Sequence, residues 1–119
     1  MVVISFGTGI GSGVVFDGQL IPNIELGAIE LDGFERSEHF YSGKRREIEE
    51  LSWEEWGARA NRHLSHINGF LNPELIVVGG GVSRRWDLFQ DQLDPSLPLV
   101  VAEIRNSAGI VGAALASTL

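Results

Sequence analysis

The sequence predicts a mixed α/β fold in which antiparallel strands open a sheet that later strands, alternating with helices, complete. Three observations carry this. The first residues, up to Pro22, read as Val-, Ile- and Phe-rich runs broken by glycine and by Asp17-Gly18; Ser52 to Leu71 repeats apolar residues at spacings of three and four; and Glu74 to Leu119 returns apolar runs separated by glycine and proline.

Taken in order, "VVISF" and "GVVFDGQLIP" supply two strands and a short third, with Asp17-Gly18 as the turn between the second and third. From Pro22 to Glu50 the pattern weakens and polar residues dominate, so this stretch is expected to be a long functional or mobile excursion. Ser52 with Glu55 three positions on forms a capping box. Trp53, Trp56, Ala60, Leu64, Ile67 and Leu71 then place a helix from about Ser52 to Leu71 with one face buried. Asn72-Pro73 stops it. "ELIVVGGGVS" reads as a buried strand closed by a glycine turn, with Ser83 capping a helix over "RRWDLFQDQL". "PLVVAEIR" is the next strand, and the small residues of "NSAGIVGAALAST" suit a closely packed last helix. The order β-β-β-α-β-α-β-α is the ribonuclease H-like arrangement, a mixed sheet covered by helices.

Bulk properties narrow the function. At 119 residues the chain is about the size of one domain, and 44% hydrophobic content with a mean hydropathy of +0.09 suits a soluble globular protein. No apolar run is long enough for a membrane span, and the N-terminus lacks the basic region of a signal peptide, so a cytoplasmic protein without membrane association is expected. The absence of cysteine excludes disulfides and thiolate metal sites. A net charge of −7, from 16 acidic against 9 basic residues, argues against general nucleic-acid binding but leaves room for a local basic patch that takes a small anion.

Gly7, Gly9, Gly11 and Gly13 crowd the junction of the first two strands. Glycines there mark either a plain hairpin turn or a place where a ligand approaches the backbone, and a lone cluster favours the plain turn. It is neither a Rossmann fingerprint, which must open a helix, nor a P-loop, for want of "GK[ST]". Successive backbone N–H groups and the Thr8 hydroxyl nevertheless suit an anion.

Four segments, "GTGIGSGVVFDGQLIPNIELG" (7–27), "LSWEEWGARANRHL" (51–64), "NPELIVVGGGVS" (72–83) and "NSAGIVGAAL" (106–115), settle the alternative by resemblance. In this order they resemble the C-terminal half of the ROK family of bacterial sugar kinases, within the actin-like ATPase fold, and the second is particular to the polyphosphate-using group. The resemblance implies a kinase transferring a phosphoryl group from polyphosphate or ATP, with magnesium, to glucose. It implies that Gly7, Thr8, Gly9 and Gly11 contact the phosphoryl donor, that Glu25 accepts hydrogen bonds from sugar hydroxyls, and that Gly79, Gly80 and Gly81 form the turn beside the nucleotide.

Two departures follow from the same resemblance. Ala28 stands where the family usually has a histidine, which is expected to change sugar affinity or preference, and the zinc-binding cysteines of many members are missing, so no metal site is expected. The family's "DxGGT" phosphate loop and the "NDA" segment with its catalytic aspartate lie upstream of the matched region. The chain is therefore expected to be a C-terminal domain that lacks catalytic residues of its own, inactive in isolation and prone to homo-oligomerise. The alternative is a noncatalytic sugar-sensing or assembly module.

His63 and His66, three apart on the helix, and His39 lack a third ligand and are expected at the surface or an interface. Lys44, Arg45, Arg46, Arg59 and Arg62 read either as a polyphosphate path or, preferably, as a solvated charged segment. Trp53 and Trp56 sit at core spacing and are expected to pack.

Overall fold

Val2–Phe6 (β1) is apolar except for Ser5 and has no polar alternation, the pattern of a strand covered on both faces. In the computed structural model, which describes residues 1–22 and 24–102, β1 is the centre of a five-stranded sheet. Ile10–Phe16 (β2) pairs antiparallel with it, Phe6 opposite Ile10 and Val2 opposite Val14, and Gln19–Ile21 (β3) pairs antiparallel with β2. Ile76–Gly79 (β4) lies parallel to β1 on the other side, and Leu99–Val101 (β5) lies parallel to β4. The order β3-β2-β1-β4-β5 is the expected mixed sheet.

The stretch after Pro22, expected as a long functional or mobile excursion, is folded into short helical elements. It carries a 3-10 turn at Leu26–Ala28 and two short helices, Glu38–Tyr41 (α1) and Gly43–Ile48 (α2). Few residues in it are apolar, but Leu26, Leu31 and Tyr41 are, and each is buried in the main core. With Ile24, Ile29 and Phe40 packed against the same core, these anchors fold a polar segment onto the sheet, and their irregular spacing hides them from a periodicity search.

Trp53–Leu71 (α3) begins and ends as its sequence requires. The Ser52 hydroxyl accepts from the Glu55 N–H at 3.0 Å, the Ser52 N–H donates in turn to the Glu55 carboxylate at 3.1 Å, and Asn72 closes the helix in the left-handed conformation at φ 43°. Its buried stripe of Trp56, Ala60, Leu64 and Ile67 packs with Val2, Ile4 and Phe6 of β1 and Ile76 and Val78 of β4. Phe6 meets the edge of Trp56 at a ring separation of 5.3 Å. Val3 points to the opposite face, with Met1, Val77 and Ala102.

Two expectations need correction. His63 is fully buried between Phe6 and Tyr41 rather than at the surface, because position 63 falls on the same helical stripe as Trp56, Ala60 and Ile67. "RRWDLFQDQL" is not one helix capped by Ser83: Gly81–Arg85 is a 3-10 helix, Trp86–Phe89 (α4) a single α-turn, and Gln90–Gln92 a further 3-10 turn. Ser83 lies inside the first of these and its hydroxyl donates to the Gly80 carbonyl at 2.7 Å. The helix expected over 106–118 lies outside the described residues.

Candidate functional site

Gly7, Thr8 and Gly9 alone form the turn between β1 and β2; Gly11 and Gly13 lie within β2, opposite Ser5 and Val3. A side chain at Gly7 would project into open space, whereas one at Gly9 would meet the Glu38 carboxylate at 2.5 Å. The first glycine thus leaves a cavity unobstructed, and the second lets a carboxylate come up against the turn. From the other side α2 supports the turn, since the Lys44 N–H donates to the Gly7 carbonyl at 2.9 Å. The Trp56 indole N–H fixes the junction of α1 and α2 by donating to the Ser42 carbonyl at 3.1 Å. A large core residue therefore sets the height of the glycine turn.

Two cavities share this turn as a common wall. The first, about 480 Å³, runs from Gly7 and Thr8 past Gly43 to Gly81 and is edged by Lys44, Arg46, Arg84 and Arg85, with Glu47, paired to Lys44, as its one carboxylate. The second, about 340 Å³, lies on the other side of Gly7, Thr8 and Gly9 and contains Gly11, Glu25, Arg36 and Glu38. One is cationic. The other holds two carboxylates.

Serines hold the two carboxylates in place. The Ser12 hydroxyl of β2 donates to the Ile24 carbonyl and accepts from the Leu26 N–H, both at 3.0 Å, so the backbone is clamped on either side of Glu25. The buried Ser37 hydroxyl lies within reach of the Leu26 and Gly27 carbonyls, at 3.1 and 3.2 Å, and ties the start of α1 to the same turn. Gly27 permits the approach: a side chain there would strike the Ile10 carbonyl and crowd Glu38. Arg36 donates to Glu38 at 3.0 Å. Ala28 ends the 3-10 turn.

The residues expected from sequence divide accordingly. Gly7, Thr8, Gly9, Gly11 and Glu25 come together around the second cavity, the first two also reaching the cationic one. Of the second glycine group Gly81 lines the cationic cavity; Gly79 pairs with Ser5 in the sheet, and Gly80, at φ 86°, lies so close to the Phe6 backbone that a side chain there would strike it. The five cations weighed as a path are dispersed. Arg45 and Arg59 converge on Glu49, whose carboxyl Arg59 chiefly holds down at about 2, and Arg62 pairs with Asp32 at 2.7 Å. Arg62, then the Tyr41 hydroxyl, keep Asp32 well below the usual carboxylate range, while burial and then Asp32 raise Tyr41 to about 12. Lys44 and Arg46 alone of the five reach the cationic cavity.

Sequence reasoning missed Glu38, Arg36, Arg84 and Arg85. Arg84 and Arg85 directly follow the glycine turn that it did single out, which was the available signal. Glu38 had none, because it meets Glu25 only through the folding of the segment between them.

No protein-family model matches the chain. It is 42% identical over 99% of its length to a polyphosphate glucokinase of Mycobacterium leprae, and 41% identical over 98% to that of Mycobacterium tuberculosis H37Rv. It spans 36% and 44% of those two relatives. Among solved structures, the inorganic polyphosphate/ATP-glucomannokinase of Arthrobacter sp. strain KM superposes with a TM-score of 0.84 at 46% identity, over 99% of this chain and 47% of that one. A ROK family protein of Streptococcus pneumoniae, at 15% identity and a TM-score of 0.66, shares the fold over 97% of this chain and 56% of its own. The chain shares the actin-like ATPase fold of the ROK sugar kinases. Over nearly its whole length its sequence is homologous to part of the polyphosphate glucokinases, of which it spans less than half.

Proposed function

We propose that the chain supplies the donor cavity and the sugar carboxylates of a glucokinase that transfers a phosphoryl group from polyphosphate or ATP to glucose. The observation that carries this is the glycine turn shared by a cationic and a dicarboxylate cavity. Phosphates suit the first and hydroxyl groups, which donate to carboxylate oxygens, suit the second. The homology to polyphosphate glucokinases supports the same pair of substrates. A sugar sensor without catalysis would need only the second cavity.

In this reading Glu25 and Glu38 orient the sugar, and the turn at Gly7 and Thr8 carries the donor's terminal phosphate on its other side. A sugar hydroxyl oxygen bonds to the terminal phosphorus, the bond to the leaving phosphate breaks, and the hydroxyl proton passes to a base. The resemblance assigns that base to the aspartate of the "NDA" segment, upstream of the matched region. Magnesium would neutralise charge on the donor's phosphates; among the described residues no group of three or more His, Asp or Glu side chains gathers to hold it.

Calorimetric titration with glucose tests the assignment. The unaltered chain is expected to bind, and Glu25→Gln and Glu38→Gln are each expected to weaken binding about tenfold, the scale of a hydrogen bond to a charged partner. The chain by itself is expected to form no glucose 6-phosphate from ATP or polyphosphate with magnesium. Unchanged glucose affinity in both variants would refute the sugar site, and saturable turnover abolished by Glu25→Ala would refute the division of the cleft.

A further inference from the structure

Among the described residues, five of the Lys and Arg side chains are matched to carboxylates: Arg36 to Glu38, Lys44 to Glu47, Arg45 and Arg59 to Glu49, and Arg62 to Asp32. Three have no carboxylate partner there, Arg46, Arg84 and Arg85, and all three edge the same cavity. In a chain of net charge −7 this is a local excess of like charge at one place. Arg46 is held ready: it donates to the Leu51 carbonyl at 3.3 Å, and its guanidinium lies 4.1 Å above the centre of the Trp53 ring. Arg84 and Arg85 are adjacent and exposed on the 3-10 helix that starts at Gly81, where no side chain obstructs the cavity.

We infer that Arg46, Arg84 and Arg85 hold the unreacted phosphates of an inorganic polyphosphate and so select a linear polyphosphate over a nucleotide as donor. This rests on the glucokinase reading above, and it adds the residues that discriminate between the two donors. A nucleotide ends its charge after three phosphates and then presents an uncharged nucleoside. A polyphosphate continues its charge along the cavity and can meet every unmatched arginine. Trp53, the aromatic side chain best placed to stack a base, already has a face covered by Arg46. Guanidinium groups also suit the purpose because they bind phosphate oxygens in pairs.

Trp53 offers the readout, since a phosphate that draws Arg46 from its ring alters tryptophan emission. The chain is titrated with tripolyphosphate, long-chain inorganic polyphosphate and ATP between about 50 and 200 mM salt. Long-chain polyphosphate is expected to bind more tightly than tripolyphosphate, with the steeper salt dependence. Arg84→Ala with Arg85→Ala, and separately Arg46→Ala, are expected to weaken long-chain polyphosphate about tenfold or more and ATP less than about threefold. Each arginine removed should lower the slope of log K against log salt by about one. Because Arg46→Ala also removes the group whose movement the emission reports, its affinities are read by calorimetry. Arg84→Lys with Arg85→Lys is expected to retain part of the affinity, and glucose binding in all variants reports that the fold survives. If glucose still binds but the alanine variants lose ATP and polyphosphate equally, or lose neither, donor selection is refuted and the glucokinase reading stands. If the unaltered chain binds neither glucose nor any phosphate donor, both fall.

Discussion

His63 is the residue whose environment departs most from its chemistry. Neither ring nitrogen has a hydrogen-bond partner, and burial, with a smaller contribution from the nearby His66, pushes its pKa down to about 4. Its neighbours Phe6 and Tyr41 offer ring faces and edges rather than acceptors, while His66, one turn on, is paired with Asp32 at 3.3 Å. The fold therefore tolerates only the neutral imidazole. A histidine whose folded pKa is depressed favours folding fully above its unfolded value near 6.5, and that stability is lost as pH falls towards 4. The cost below that window is about 3 kcal/mol. Glu49 and Asp32, both lowered by arginines, lose their contributions as pH falls from the ordinary carboxylate range towards their lowered values, so most of the histidine's window lies above theirs. His63→Leu removes two unpartnered polar atoms at similar volume. It is expected to leave stability at pH 7 unchanged or raise it by about 1 kcal/mol, and to flatten the decline between pH 6.5 and 4. Urea denaturation of both proteins across that range measures it, and an unchanged acid limb would refute the assignment.

Elements were legible where local rules and packing agree. For α3 the capping box, the apolar spacing and the Asn-Pro stop point to one helix, and tertiary contacts only confirm it. Ser52→Ala is expected to destabilise the domain by about 1 kcal/mol, by orphaning the Glu55 N–H while the backbone N–H of residue 52 still reaches the Glu55 carboxylate, as a shift in urea midpoint with unchanged slope would show. After β4 the rules conflict. Gly80 needs its positive φ to pass Phe6, and the chain then turns so tightly that 3-10 geometry precedes any α-turn, leaving Ser83 to bond backward to Gly80 instead of capping forward. The site shows the same division. Gly7 and Thr8 were visible as a glycine cluster, but Ser12 and Ser37, which position Glu25 and Glu38, are ordinary serines until β2 and α1 are brought together. Long-range hydrogen bonds leave no period in the sequence.

At the scale of the molecule the two cavities are distinct but mechanically joined, since both rest on one turn between β1 and β2, itself braced by α2 and, through Trp56, by α3. Ligands that bind the folded state alone stabilise it by mass action, about 2.7 kcal/mol for each at a hundredfold excess over its dissociation constant. For a domain of this size that is a rise in melting temperature of about 10 °C. Separate cavities predict that glucose and tripolyphosphate are bound together and that their stabilisations add within about 0.5 kcal/mol, or exceed the sum if each ligand helps to order the shared turn. A single merged cavity predicts competition, with the second ligand adding almost nothing. Thermal unfolding with neither, either and both ligands distinguishes the cases. Glu25→Gln should selectively reduce the glucose shift, and Arg84→Ala with Arg85→Ala the phosphate shift, because each acts on its own side of the turn. If both variants reduce both shifts equally, the two cavities are one site and the shared-wall arrangement is wrong.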